Sequence, residues 1–514
     1  MSRLGWAVLL LGFMLISGCH SRGPSPNLEG AARSVLVVAA DLDALSLDPA
    51  VAYEPSSVNI CMNLYETLIR YEGTDYSHPR PGLAQSWESP DGLTWTFHLR
   101  PDARFASGRP VDAQAVHDSL VRAIRMDRDP AWILKENLAP ERIEVVDAHT
   151  IRMRLLHPSA YFLSTLFNAV AAAVDIQEVA RHSDYWLRDH SAGSGPFTLA
   201  RWEPDVAITM ETRGGTPLRR VIIKDIKEPT MQQMMLQRGD VDMAYDIPPL
   251  QTASLELDPH VALLPAPLLR VWYVGMNVTQ KPLDDVRVRQ AIRFAIDYPG
   301  ILKYLLKGRG ISLEGPIVQG MPGFHPDLGV YHYDPQRARQ LLKSAGLGNG
   351  FDITLTSGGG ATELGPSVED LCAKLQQDLG AVGIRVQVQT ISGTAYLDLY
   401  RKGKLQLNLG LWSADYPDPH DFIGPFGRSD GSLAMRVHYA DPEMDRLIDQ
   451  GAEELNPQRR DAIYVEAQKR LADSGPWAIL VQSEKTLPMR REVHGFVWNP
   501  LSTMDFSHVF KAAP

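Results

Sequence analysis

One stretch of the chain gathers side chains able to do chemistry at close spacing: Trp412-Ser413-Ala414-Asp415-Tyr416-Pro417-Asp418-Pro419-His420-Asp421-Phe422. Three readings compete for it. Asp418 and Asp421 are turn and cap residues around prolines in the plainest one, since Asx side chains satisfy nearby backbone N–H groups. A metal site made from Asp418, His420 and Asp421 is the second, although these three lack a regular ligand spacing. In the third, Trp412 is an apolar or stacking wall and Asp415 an anion awaiting a cationic group. A carboxylate in a closing, water-poor cleft is costly unless a cation pairs with it, so such a pairing would confer specificity. Catalysis finds less support. The sequence has no HExxH, no paired CxxC and no GxSxG elbow, and Gly193-Ser194-Gly195-Pro196 has the wrong spacing for one. Gly358-Gly359-Gly360 is not followed by Gly-Lys-Ser/Thr and reads as a connector, not a phosphate loop.

The elements that must position this cluster are legible. Leu405, Leu407, Leu409 and Leu411 alternate as in a strand, so the cluster begins where a strand ends, the usual ligand position in α/β units. Helices are expected around Val288–Ile296, after the Asp334-Pro335 cap, from Val368 to Leu379, and after Asp441-Pro442 and Asn456-Pro457. Strands are expected at Phe351 to Thr356 and Ile384 to Val388, making a βαβ unit. Residues 270 to 480 therefore read as an α/β domain. The earlier part opens with a buried strand at Ser34 to Ala39 and continues as an α+β segment, with strands at Trp95–Leu99 and Ile151–Leu155 and a helix around Ala113 to Ile124.

The chain has 514 residues, 44% of them apolar and 22% charged, enough for about three domains. With 61 acidic against 51 basic side chains and no basic block, a nucleic-acid partner is disfavoured. Arg3 precedes an apolar stretch from Leu4 to Ile16, then Ile16-Ser17-Gly18-Cys19. This is a secretory leader ending in a small-residue site before cysteine, which resembles the bacterial lipobox and implies lipidation of Cys19. Residues 20 to 33 read as a flexible tether. Cys61 and Cys372 lie in apolar helical patterns and read as buried core thiols.

The sequence resembles the family 5 extracellular solute-binding proteins of ABC importers, the dipeptide- and oligopeptide-binding group, over nearly the whole chain after the leader. Residues 47 to 49 (LDP) and 64 to 68 (LYETL) resemble the family's opening, and residues 81 to 105 its long signature, here followed by Ala106-Ser107-Gly108 where members often have His-Asp-Gly. Gly193 to Pro196 matches a GxGP element, and Asn277 with Pro282 to Ala291 the N…PxDDxRVRQA segment. Tyr333-Asp334-Pro335 through Gly346 and Trp412 through Pro419 match two more. Most of these residues, including Trp87, Trp95, Phe97, Pro196 and Arg289, read as fold determinants.

The resemblance implies an α/β, two-lobe periplasmic-binding-protein (Venus flytrap) fold, type II-like, with an extra domain and so three domains. Residues 1–18 would be the lipoprotein signal peptide and 19–33 the lipidated tether. Domain I would comprise 34–58, 190–267 and 482–514, domain II 59–189 and domain III 268–481, with crossovers near Leu264 to Trp272 and Pro476 to Lys485. Asp415 would pair with a peptide's α-amino group and Trp412 line a side-chain pocket, with Tyr416 and Asn277 completing the ligand-binding candidates. The peptide would lie extended like an added strand. Some members place an arginine for the peptide carboxylate three residues before the tryptophan, where this chain has Leu409. The resemblance further implies a monomeric extracytoplasmic protein, anchored at the membrane by its N-terminal lipid, delivering peptide to an ABC permease and ATPase complex, with no catalytic residues, cofactor or metal. The alternatives are a non-peptide solute (metal chelate, haem, glutathione or oligosaccharide) on the same fold, and a chaperone-like lipoprotein without transport.

Overall fold

The computed structural model describes residues 34–183, 185–360, 366–501 and 503–512. The leader, Cys19 and the expected tether lie outside the described residues. Two unusually long strands organise the molecule. Val261–Met276 and Trp477–Arg490 are antiparallel partners from Val261 opposite Arg490 to Gly275 opposite Trp477. At about 3.3 Å per residue each extends roughly 45–50 Å, far enough to belong to both halves of the protein. Among the described residues an eleven-stranded mixed sheet is built on this pair. Leu407–Ser413, Phe351–Ser357 and Ile384–Thr390 follow toward one edge; Met243–Ala244, Val35–Ala40, Arg220–Asp225, Ala207–Thr212 and Phe197–Glu203 follow toward the other.

The long pair is interrupted midway. Pro267 faces Glu484 and Val271 faces Gln482, so four steps along one strand match two along the other. Such a bulge breaks the ladder and bends the strand, and the prolines at 265 and 267 have no N–H to donate there. Gln482 repairs part of the break, its Nε2 donating to the Leu268 carbonyl at 3.0 Å.

The half beyond the bulge has the expected α/β pattern. Phe351–Ser357 and Ile384–Thr390 are parallel neighbours joined through the helix Val368–Gly380, which a Ser367/Asp370 capping box opens. Asp334, Asp441 and Asn456 each cap a helix whose first residue is proline. The helix Val286–Ala295 buries Val288, Ala291 and Ile292 and aims two arginines at the end of the helix Pro457–Ser474. Arg293 Nη1 donates to the Gly475 carbonyl and its Nη2 to that of Asp473, both at 2.7 Å, while Arg289 Nη2 reaches the Ser474 carbonyl at 2.6 Å. These carbonyls lack partners within their own helix, and cationic donors also complement the negative end of its dipole. The RVRQA segment is thus a helix-to-helix clamp.

The first half carries a separate antiparallel sheet, ordered Ala84–Glu88, Thr94–Leu99, Thr150–Arg154, Ile143–Asp147, with the helix Ala113–Met126 packed beside it. The helix Pro55–Leu64 runs through the expected boundary at 58/59. Ile60, Cys61 and Leu64 share a core with Leu36 and Val38 of the first strand. The GxGP element explains itself at that junction: a Cβ on Gly193 would stand 2.0 Å from the Leu64 carbonyl oxygen, and one on Gly195 2.5 Å from that of Asn63. Cys61 and Cys372 are buried, free thiols. The architecture is the expected α/β, two-lobe, type II-like one with an additional domain.

Candidate ligand-binding cleft

Asp415 lies in the loop that leaves the strand Leu407–Ser413, whose last residues pair with Arg270 to Trp272 just past the bulge. Asp421 shapes this loop. Its Oδ2 accepts the backbone N–H of Asp415 at 2.6 Å and that of Tyr416 at 3.4 Å, and its carbonyl accepts the Trp412 indole N–H at 2.7 Å. From the opposite half, Asn168 Nδ2 donates to the Asp415 carbonyl at 2.9 Å, and the Tyr161 ring stacks on Tyr416 at 5.8 Å and on His420 at 4.2 Å. The two halves therefore touch at this loop.

Two cavities meet there, both lined by Asp415 and Tyr53. The smaller, of about 170 Å³, runs toward Arg270 between Phe167 and Leu269. The larger, of about 830 Å³, opens past Trp412 and Tyr416 toward Trp132, Glu136 and Arg428. The sequence candidates Asp415, Trp412 and Tyr416 are thus brought together at one cleft. Tyr416 contributes a nearly fully buried ring, and Trp412 a partly exposed one. Asn277 stands apart. It is fully buried, its amide N–H groups donate to the Gly403 and Leu405 carbonyls at 2.9 and 3.2 Å, and its Oδ1 accepts from Thr279. It lines neither cavity, and its side-chain amide is committed to a loop.

The charges divide into spent and unspent. Asp418, which also accepts the His420 N–H at 2.8 Å, is locked by Arg460 in a buried bidentate pair at 2.8 and 2.6 Å. Burial lowers His420 to about 4, so it is neutral at physiological pH. The metal reading of Asp418, His420 and Asp421 loses its first ligand to Arg460, and among the described residues no group of three or more His, Cys, Asp or Glu is placed to hold an ion. Asp415 is different. No ion pair reaches it among the described residues; burial pushes its carboxyl up to about 6, and the Tyr53 hydroxyl offsets this in part. Burial also drives Asp421 well up, and the neighbouring Asp415 charge adds to it. Among the described residues no ion pair reaches the carboxylates of Asp415 or Asp421, the condition under which a cationic guest gains most.

Sequence reasoning did not find Tyr53, Glu136, Tyr161 or Arg270, all of which line this cleft. No motif carries them, and only the fold brings residues 53, 136, 161 and 270 to a loop at 412–421.

The family model for bacterial extracellular solute-binding proteins, family 5 (middle region), matches residues 78–433. The chain is 30% identical over 490 residues to the "Probable D,D-dipeptide-binding periplasmic protein DdpA" of Escherichia coli K12, covering 92% of this chain and 93% of that one. It is 28% identical over 488 residues to heme-binding protein A of Haemophilus influenzae, covering 89% and 88% respectively. Among solved structures, the periplasmic binding protein DppA of Helicobacter pylori, in complex with the peptide STSA, superposes with a TM-score of 0.76 at 24% identity, over 93% of this chain and 98% of that one. From a family model that spans most of the chain and a relative matched along nearly its whole length, the chain belongs to the bacterial extracellular solute-binding proteins of family 5.

Proposed function

We propose that this protein captures short, extended peptides in the cleft between its lobes and delivers them to an ABC permease and its ATPase. The observation that carries this reading is the Asp415 carboxylate, held by its own backbone at the meeting point of two cavities and reached by no ion pair among the described residues. A peptide's α-ammonium group supplies the missing charge. The relative named as a D,D-dipeptide-binding protein supports the same class of solute. The domains hinge at the bulge between Pro267 and Val271 opposite Gln482 to Glu484, and a peptide touching both lobes stabilises the closed form that the permease distinguishes from the open one. Lipidation at Cys19 tethers the monomer to the membrane on the extracytoplasmic side.

Calorimetry with a free dipeptide and its N-acetylated form tests the anchor. The free form binds at least tenfold more tightly, and Asp415→Asn abolishes the difference; equal binding of the two forms rejects it. The haem-binding relative makes haem the competing cargo. Native mass spectrometry of freshly purified protein separates the two, since the mass of retained cargo distinguishes a peptide from a porphyrin. Incorporation of labelled palmitate that disappears in Cys19→Ala tests the lipid anchor.

A further inference from the structure

The larger cavity contains more carboxyl groups than one α-amino group can pair with, Glu136 and Asp421 lining it beside Asp415. Glu136 follows the short helix Trp132–Lys135 and faces the same 830 Å³ space as Asp415. Among the described residues no hydrogen bond or ion pair reaches its carboxylate, although its backbone carbonyl is engaged by His157 Nε2 at 3.0 Å. The cations of that cavity are already engaged. Arg428 is clamped between Asp430, at 2.6 Å, and Asp449, and the Arg436 guanidinium lies over the Tyr400 ring, 4.7 Å from its centroid. Asp421 is 1% exposed, and among the described residues its Oδ1 has no hydrogen-bond partner. The walls beside these acids are the rings of Trp132, Tyr161 and Trp412, whose faces attract cations. Glu136 is exposed to the open cavity, yet the protein crowded around its carboxyl raises it to about 7, with the charge of Arg428 opposing the effect and those of Asp415 and Asp430 adding to it. An apolar side chain filling the cavity would strip water from Glu136 and give nothing in return, whereas an ammonium or guanidinium would restore its charge. A volume near 830 Å³ is ample for a long side chain.

We propose that Glu136 is a specificity-determining residue that receives a second positive charge, so that the preferred solutes are peptides with a basic side chain in one of their first two residues. This rests on the reading of Asp415 as the α-amino anchor.

The test is calorimetry at pH 7.5 with Lys-Ala, Ala-Lys and their norleucine counterparts, which keep the side-chain length and lack the ammonium. In the wild-type protein at least one lysyl peptide binds tenfold or more tightly than its norleucine counterpart, and in Glu136→Gln that ratio falls toward one. A wild-type ratio near one, or a ratio that survives in Glu136→Gln, overturns the assignment. If free peptides of both kinds bind wild type equally, only the role of Glu136 fails. If no peptide binds, the peptide reading of the cleft fails with it. A thermal melt of Glu136→Gln matching wild type excludes misfolding as the cause of a lost ratio.

Discussion

The backbone N–H of Asp415 donates to the Oδ2 of Asp421 at 2.6 Å, so one carboxylate holds another in the cleft by gripping its main chain and not its side chain. The arrangement fixes where the Asp415 carboxylate points without neutralising it. Burial and the neighbouring Asp415 charge raise the proton affinity of Asp421, a tension that a bound cation relieves.

Asp421 is therefore expected to matter through the loop. Asp421→Ala leaves the Asp415 and Tyr416 N–H groups without their acceptor and costs about 1–3 kcal/mol of stability together with a tenfold or greater loss of dipeptide affinity. Asp421→Asn keeps an acceptor and restores most of both. Chemical denaturation and calorimetry on the two variants check this, and equal damage from both would reject the positioning role.

Affinity for an uncharged-side-chain peptide such as Ala-Ala should follow the ionisation of Asp415. With its free-state carboxyl near 6, binding is tightest near pH 7 and falls close to tenfold per pH unit below 6, while loss of the proton from the peptide's own α-ammonium group, at about 8, weakens it toward the alkaline end. Titration calorimetry from pH 4.5 to 8 measures the profile, and a flat profile would exclude Asp415 as the anchor.

The same carboxyl predicts a stability cost. Its folded-state value, near 6, lies above the ordinary 3.8, so its stabilising contribution is complete below about pH 3.8 and is lost as pH rises through 6. Asp415→Asn, neutral throughout, should make the ligand-free protein more stable at pH 7.5 by on the order of 1–3 kcal/mol, with the gain vanishing near pH 4. Thermal melts of both proteins at the two pH values give the comparison.

Arg460 and Asp418 form a buried bidentate pair with side chains 12% and 6% exposed. Arg460→Ala leaves the Asp418 charge unpaired in the interior and should cost about 3–5 kcal/mol, while Arg460→Lys, unable to fork onto both oxygens, should lose an intermediate amount. Urea denaturation resolves the order.

Gly193→Ala should be severe. Its added Cβ would fall 2.0 Å from the Leu64 carbonyl oxygen, a backbone atom that cannot swing aside. The expected cost is about 3 kcal/mol or more, seen as a lowered denaturation midpoint. Gly214→Ala, where no atom lies within 4 Å of the new Cβ, removes the steric component and retains only the left-handed backbone penalty, so it should cost less.

Local order dictated much of this molecule and could be read directly. Asp-Pro and Asn-Pro pairs at 334, 441 and 456 open helices because the side chain satisfies the first free N–H groups and proline needs none. Alternating leucines place a strand before the 412–422 loop, and the ordered set of family segments identifies the two-lobe architecture. The state of each charged group had to wait for the fold. Asp415, Asp418 and Asp421 lie within seven residues, yet one faces two cavities with no ion pair among the described residues, one is consumed by Arg460, and one serves backbone N–H groups. Asn277 shares a family segment and still turns its amide into a loop. Glu136 belongs to no motif, and only the contact of the two halves brings it to the same cavity as Asp415. Residue type sets what a side chain can do along its own few turns of chain; desolvation and pairing depend on neighbours hundreds of positions away, and those neighbours are chosen by the packing of the whole.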